Sequence, residues 1–232
     1  MNEVYRKEKK FLINIQEQIK CIAYLEKIMI QDEHNGANGY NIRSLYFDTI
    51  NDTDYENKAL GTRVRRKIRL RCYDPNQDYA MLEIKQKDGE YQLKRSLRLN
   101  KEESMELIKG NYDVLLKHRE PFATECYGIM QMNCYRPKAV VEYKRKAFIA
   151  KENKIRVTFD FDIKTNEVNY NIFDEKLILN KSFSETSTVL EVKYNGFLLS
   201  YIKDLIEKVD RGETSVSKYC ISRKTGKYYN FI

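Results

Sequence analysis

The sequence predicts an α+β fold in which eight antiparallel strands close into a barrel with a polar, basic interior and helices outside. Two observations predict it: a segment alternates basic with aliphatic residues, and the same alternation recurs along the chain. A hydrophobic content of 42% and a charged content of 33% exclude a disordered chain. With few Gly and Pro and no repeat, residues 1–232 are predicted to form a single domain.

The segment 63–71 carries the clearest alternation. Side chains of a strand point to opposite faces in turn, so one face receives only cations and the other is mostly aliphatic. The cations are Arg63, Arg65, Lys67, Arg69 and Arg71, and the opposite face carries Val64, Arg66, Ile68 and Leu70. Taken alone, the charged face could simply be solvated, because antiparallel sheets often expose one face to water.

The recurrence of this pattern favours a different interpretation. Lys and Arg mixed with a few carboxylates occupy one face of several segments, as in a barrel with a charged interior. The predicted strands are 5–13, 41–48, 63–73, 79–86, 92–99, 138–149, 154–161 and 188–194. So many like charges facing inward would repel each other unless an anion or a set of carboxylates compensates them. The interior is therefore predicted to bind a polyanion.

Helices are predicted between the strands. Ile15, Ile19, Ile22, Leu25 and Met29 are spaced as one face of a helix, and Asn14 stands at its N-cap position. This helix is predicted over 15–30. The other predicted helices are 101–109, 113–118, 122–132 and 197–210.

The net charge and the cysteines indicate the kind of partner and the cellular compartment of the protein. A net charge of +8 indicates an anionic partner, whether nucleic acid, a membrane surface or a phosphate compound. The five cysteines are scattered without a C-x-x-C pair, as in a reduced cytoplasmic protein, and no apolar run is long enough to span a membrane. We therefore expect a cytoplasmic protein without a transmembrane segment.

Eight motifs, in this order along the chain, make the sequence similar to a known family. They are 6–11 RKEKKF, 44–49 SLYFDT, 68–73 IRLRCY, 82–85 LEIK, 143–148 YKRKAF, 155–160 IRVTFD, 190–193 LEVK and 217–219 SKY. The chain resembles the VTC-type polyphosphate polymerase domain of the triphosphate tunnel metalloenzyme superfamily, over almost its whole length.

The resemblance implies a metal-dependent phosphotransferase that moves the γ-phosphate of ATP to a growing polyphosphate chain and releases ADP. It implies the catalytic phosphate ligands Lys10, Arg69, Arg71, Lys85, Lys94, Arg145, Arg156 and Lys218. Further substrate-binding candidates are Lys193, Tyr143 and Ser217, and Mn²⁺ or Mg²⁺ would be held by Glu191, with Glu8 as a second candidate. ATP and inorganic polyphosphate are the expected partners, and nucleic acid is not expected.

Other roles stay open for several residues. Glu83 could pair with Lys85 or a neighbouring arginine, Glu8 could form an ion pair instead of binding metal, and Tyr46 and Asp48 could bond to turn backbone. Alternative functions are a triphosphate tunnel hydrolase, acting on inorganic or nucleoside triphosphate, and a non-catalytic polyphosphate or nucleic-acid binding module. Hydrolases of this superfamily favour an E-x-E-x-K first strand, whereas Arg6, Glu8 and Lys10 supply fewer carboxylates. Eukaryotic relatives add a phosphate sensor and membrane helices, so we expect any membrane coupling to need a partner protein.

Overall fold

The computed structural model describes residues 6–89, 91–182, 187–209 and 212–229. Residues 5 and 210, the predicted ends of the first strand and last helix, lie outside these ranges. The chain divides into two compact units, and each draws on three separate stretches. The first unit comprises Met1–Asn41, Tyr143–Ile163 and Lys181–Ser217; the second comprises Ile42–Glu142, Lys164–Asn180 and Lys218–Ile232.

The strands form one ten-stranded sheet, and every register that the structure gives is antiparallel. The strands are β1 (Arg6–Asn14), β2 (Ile30–Gln31), β3 (Tyr40–Thr49), β4 (Val64–Cys72), β5 (Tyr79–Asp88), β6 (Tyr91–Asn100), β7 (Tyr135–Ala150), β8 (Ile155–Asn166), β9 (Asn180–Lys181) and β10 (Ser187–Asn195). Their hydrogen-bonded order is β1-β10-β8-β7-β3-β4-β5-β6, with β2 paired to β7 and β9 paired to β8.

This order corrects the predicted eight-stranded closed barrel. Within the described ranges the hydrogen-bonded path is open, with β1 at one edge and β6 at the other. All eight predicted strands exist, and β2 and β9 are additional. Two-residue strands are too short to produce a detectable alternation, which explains why the sequence pattern missed them.

The helices lie between the strands. They are α1 (Ile15–Ile28), α2 (Thr53–Ala59), α3 (Lys101–Lys109), α4 (Pro121–Met132), α5 (Ser200–Glu207) and α6 (Lys218–Tyr229), with short 3₁₀ turns at Asp113–Lys117 and Glu152–Lys154. The sequence pattern missed α2 and α6. No helix in the described ranges is both long enough and apolar enough to span a membrane.

The start of α1 was predicted correctly, and its buried face was predicted in part, since Leu25 and Met29 are buried. Asn14 caps the helix, and its side chain and that of Glu17 bond reciprocally to the backbone. However, Ile15 is 46% exposed and Ile19 is 61% exposed, while Gln18 is buried together with Cys21 and Leu25. Gln18 tolerates burial because its side-chain oxygen accepts a hydrogen bond from the Thr188 hydroxyl.

Each unit has its own apolar core on one side of its strands. In the first unit, Phe11, Val157 and Val192 belong to one buried cluster. In the second unit, Leu45 and Leu70 pair across β3 and β4 within another. Because side chains alternate along each strand, the residues between these apolar positions are directed to the opposite face. That opposite face carries the predicted site residues of the strands.

Candidate functional site

The first unit presents a set of charged residues that we call the first charged face. Lys10 of β1 is the register partner of Glu191 of β10, and Glu8 is the partner of Lys193. Lys193 in turn pairs with Arg156 of β8. Directly opposed residues in an antiparallel pair point to the same side of the sheet. The first charged face consists of Glu8, Lys10, Arg145, Arg156, Thr158, Asp160, Glu191 and Lys193.

Two lysines and two glutamates of this face are interleaved. Lys10 Nζ lies 2.6 Å from Glu8 Oε1 and 4.0 Å from Glu191 Oε2. Lys193 Nζ lies 3.8 Å from Glu8 Oε2 and also contacts the Glu191 carboxylate. Burial alone would lower the pKa of Lys10, but Glu191 and Glu8 reverse that effect and raise it. Lys10 is therefore a stably charged group, and the ion pairing considered for Glu8 is confirmed.

Arg145 is held by a carboxylate that the sequence prediction did not single out. Its Nε and its second terminal nitrogen donate to the two oxygens of Asp160, at 2.6 and 2.8 Å. The guanidinium also lies 5.5 Å from the centre of the buried Tyr143 ring. Burial opposes the charge of Arg145, but Asp160 outweighs it and raises the pKa. Arg145 and Tyr143 thus lie together, as the motif implied.

Arg156 reaches a loop residue that is distant in sequence. One of its terminal nitrogens lies 2.8 Å from Asp32 Oδ2 and donates to the Tyr40 hydroxyl at 3.1 Å. Burial would raise the pKa of Asp32, but hydrogen bonds from His34 and the charge of Arg156 lower it. No sequence motif marks Asp32, because loop carboxylates are common and their partners depend on the fold.

The second unit presents its own set, the second charged face. Arg71 pairs in register with Ser44, and Arg69 pairs with Tyr46 on one side and Glu83 on the other. Arg66 has the opposite phase and pairs with Gln86, as the alternation predicted. The second charged face consists of Ser44, Tyr46, Asp48, Lys67, Arg69, Arg71, Glu83, Lys85 and Lys94.

Glu83 is the buried centre of this face. Arg69 donates to its Oε2 at 2.7 Å, Lys94 Nζ lies 2.6 Å from its Oε1, and an Arg71 terminal nitrogen lies 3.6 Å away. Burial would raise the pKa of Glu83, but Arg69 and Lys94 lower it overall. The pairing of Glu83 with neighbouring arginines is confirmed.

A row of lysines crosses the same face. Lys85 of β5 is the register partner of Lys67 on β4 and of Lys94 on β6. Like charges placed directly opposite each other destabilise a sheet. Glu83 contributes one negative charge beside this row, through its contact with Lys94. The row is therefore a place where a bound polyanion would relieve repulsion.

The SKY motif lies at the start of α6. Ser217 is buried, and Lys218 is the first residue of the helix and half-buried. The Tyr219 hydroxyl donates to Asp48 Oδ2 at 2.7 Å, and the Asp48 carboxylate also accepts the backbone N–H groups of Thr49, Asp54 and Tyr55. The predicted bonding of Asp48 to turn backbone is confirmed. Burial and Asp48 both raise the pKa of Tyr219, so the phenol stays protonated and anchors Lys218.

A divalent cation was predicted at Glu191 and Glu8. The described residues contain no group of three or more His, Cys, Asp or Glu side chains arranged to hold a metal ion. The donors fit a hard ion that takes one or two carboxylates and completes its shell with water and substrate phosphate. Glu191 is buried, and its register partner Thr158 has a buried hydroxyl for which the described part of the chain offers no hydrogen-bond partner. These groups could hold Mn²⁺ or Mg²⁺ once phosphate oxygens are present.

Comparisons with known proteins identify the family of the chain and a related fold. A “putative adenylate cyclase” from Bacillus halodurans is 11% identical, with 92% of this chain and 95% of that chain covered and a TM-score of 0.54. A protein from Pyrococcus horikoshii OT3 is 8% identical, with 95% and 99% covered and a TM-score of 0.46. The first similarity shows a related fold, and the search of curated proteins found no match. The family model described as the VTC domain matches residues 5–226, so the chain belongs to the VTC domain family.

Proposed function

We propose that this protein is a metal-dependent polyphosphate polymerase, which transfers the γ-phosphate of ATP to a growing polyphosphate chain and releases ADP. The observation that carries the proposal is the row formed by Lys67, Lys85 and Lys94, opposed in register on three neighbouring strands. Like charges opposed in this way repel each other, and the row suits a ligand with several linked negative charges. Membership of the VTC domain family supports a substrate that contains a triphosphate.

Arginine and lysine side chains contribute different chemistry to this proposal. Arginine offers a planar fork that holds two phosphate oxygens, and lysine acts as a mobile point charge. Arg69 and Arg71 would fix phosphoryl groups, while Lys85 and Lys94 would follow a chain that must advance after each transfer. In the first unit, Lys10, Lys193, Arg145 and Arg156 would act in the same way. Phosphoryl transfer needs mainly positioning and charge neutralisation, and these side chains supply both.

The roles of Glu191 and Glu8 follow from their neighbours. When bound there, Mn²⁺ or Mg²⁺ would neutralise charge on the phosphoryl oxygens. Glu191 would direct its carboxylate to the ion, and Lys10 and Lys193 would keep that carboxylate in place. Lys218, set by the bond between Tyr219 and Asp48, would contact phosphate from the start of α6.

The pairing of negative with positive side chains on β1 and β10 favours synthesis over hydrolysis. Glu8 and Glu191 already contact Lys10 and Lys193, so the negative charge that two metal ions would require is largely neutralised. A water-activating site for two metals fits this arrangement poorly. The cytoplasmic location, the single-domain organisation and a membrane-protein partner stay sequence predictions.

Incubation of the purified protein with ATP and Mn²⁺ tests the proposal. We expect ADP and long-chain polyphosphate to form in proportion to each other. Gel electrophoresis and anion exchange separate the two products. Free phosphate as the main product at the earliest times would indicate the triphosphate hydrolase instead. Tight polyphosphate binding with no ADP formed would indicate a non-catalytic binding module.

A further inference from the structure

Two buried polar groups on the second charged face have no hydrogen-bond partner among the residues that the structure describes. One is the hydroxyl of Ser44, whose residue is 0% exposed, and the other is the Nε–H of Arg71, whose residue is 7% exposed. Buried polar groups in folded proteins are nearly always hydrogen-bonded, because an unmade bond leaves the cost of desolvation uncompensated. Two such groups side by side therefore form a candidate site for a ligand.

The two groups are neighbours by register. Ser44 of β3 lies directly opposite Arg71 of β4, so their side chains emerge on the same face of the sheet at the separation of a cross-strand pair. On the other face the adjacent residues Leu45 and Leu70 are buried in the apolar core. The Ser44 hydroxyl and the Arg71 Nε–H thus stand in the polar layer that also contains Arg69.

A ligand bound by Ser44 and Arg71 must accept hydrogen bonds. The Arg71 Nε–H can only donate, and the Ser44 hydroxyl can donate at the same time. Glu83 does not fill this role, since its nearest contact with Arg71 is 3.6 Å from a terminal nitrogen and both its oxygens already face Arg69 and Lys94. An acceptor that also carries negative charge would satisfy both donors beside a cation.

We propose that Ser44 and Arg71 together form an oxyanion subsite that binds one phosphoryl group of a triphosphate or polyphosphate. Ser44 donates its hydroxyl to a phosphate oxygen, and Arg71 donates its Nε–H and a terminal N–H to the same phosphoryl group. The subsite rests on the proposed function, because it presupposes that this face binds a phosphate chain. The subsite adds the neutral Ser44 hydroxyl to the predicted phosphate ligands. Those ligands were Lys and Arg side chains together with Tyr143 and Ser217.

Inorganic tripolyphosphate is the probe, and Ser44→Ala is compared with Ser104→Ala. Ser104 of α3 is a matched control, since it is also fully buried with an unpartnered hydroxyl in the second unit but is not part of the charged face. Titration calorimetry is expected to give about tenfold weaker binding for Ser44→Ala, the loss typical of one hydrogen bond to a charged group. Ser104→Ala should bind like the unchanged chain.

The melting temperature supplies a second measurement. Without anion, Ser44→Ala should melt at the same temperature as the unchanged chain or higher, because it removes an unsatisfied buried group. With saturating tripolyphosphate the variant should melt lower than the unchanged chain. Should the alanine variant fail to fold, Ser44→Cys keeps the size of the side chain and replaces the hydroxyl by a weak donor.

Arg71→Lys keeps the positive charge and removes the Nε–H. If both residues bind one phosphoryl group, the losses of affinity in Ser44→Ala and Arg71→Lys should not add in the double variant. Additive losses, or unchanged affinity in Ser44→Ala, would overturn the subsite alone. Failure of the unchanged chain to bind tripolyphosphate would overturn the proposed function and the subsite with it.

Discussion

Lys10 and Glu191 lie opposite each other on β1 and β10, with Lys10 Nζ 4.0 Å from Glu191 Oε2. Lys193 contacts the same carboxylate, so Glu191 is held between two ammonium groups. Both oxygens of Glu191 are thereby oriented before any ligand arrives. A carboxylate fixed in this way can take up a cation with little reorganisation, provided that bound phosphate draws the lysines toward itself.

Replacement of this carboxylate should separate catalysis from folding. Glu191→Gln keeps the size of the side chain and removes its charge, so we expect ADP release to be abolished while the melting transition persists. Affinity for tripolyphosphate without metal should be retained, because Lys10 and Lys193 remain. Glu213→Gln is the control, since Glu213 pairs with Lys9 at an exposed position. Unchanged turnover of Glu191→Gln at saturating Mn²⁺ would remove Glu191 from the mechanism.

The arginines of β4 provide a test of the charged face with an internal control. Arg69→Ala and Arg71→Ala should each cost about 2 kcal/mol or more of transition-state stabilisation, as the loss of a charge-assisted contact does. Arg66→Ala removes the same group from the opposite side of the strand and should leave kcat/KM nearly intact. Equal losses for all three variants would mean that β4 acts as a general basic surface.

The lysine row predicts opposite effects on the free and bound protein. Lys85→Gln removes the central charge between Lys67 and Lys94, so at low salt the free protein should melt higher. The rise in melting temperature caused by tripolyphosphate should become smaller in the same variant. Lys203→Gln, at an exposed position on α5, should change neither value. A lower melting temperature for free Lys85→Gln would argue against repulsion within the row.

The raised pKa of the buried Asp54 carboxyl group predicts that the protein loses stability as the pH rises. Burial raises its pKa from the ordinary 3.8 to about 7, against the hydrogen bond from the Tyr135 hydroxyl and with help from Asp48. Since the folded-state pKa is the higher one, this contribution to stability is complete below pH 3.8 and is lost as the pH rises through 7. The free energy of unfolding should therefore fall between pH 5 and 8 in urea titrations. Asp54→Asn should flatten that slope, and an equal slope in both proteins would exclude Asp54 as its source.

Gly39 is expected to control the position of Arg145. Its φ is +75°, and an added Cβ would lie 2.4 Å from the Arg145 carbonyl oxygen. Gly39→Ala should therefore shift that backbone and lower both stability and activity. Gly61→Ala is the matched control, since its φ is +71° but no atom lies within 4 Å of the added Cβ. The free energy of unfolding of Gly61→Ala should fall by only roughly 1 kcal/mol, which is the cost of the left-handed conformation for a residue with a Cβ. Urea unfolding measures this difference.

The sequence by itself determined which residues share a face. Alternation along β4 separates Arg69 and Arg71 from Arg66, and along β1 it places Glu8 with Lys10, because a strand fixes side-chain direction locally. The alternation and the motifs therefore identified most members of the two charged faces, and the motifs indicated the family. The N-cap of α1 could also be predicted from the sequence, because the capping residues Asn14 and Glu17 are only three positions apart.

Only the tertiary structure decided how these elements pair and which partners the charges find. The open strand order, the ion pair of Arg156 with Asp32 and the anchoring of α6 through Tyr219 and Asp48 join residues far apart in the chain. The burial of Gln18 likewise depends on Thr188. Such contacts depend on the packing of the whole chain, and no local pattern of residue types encodes the identity of the distant partner.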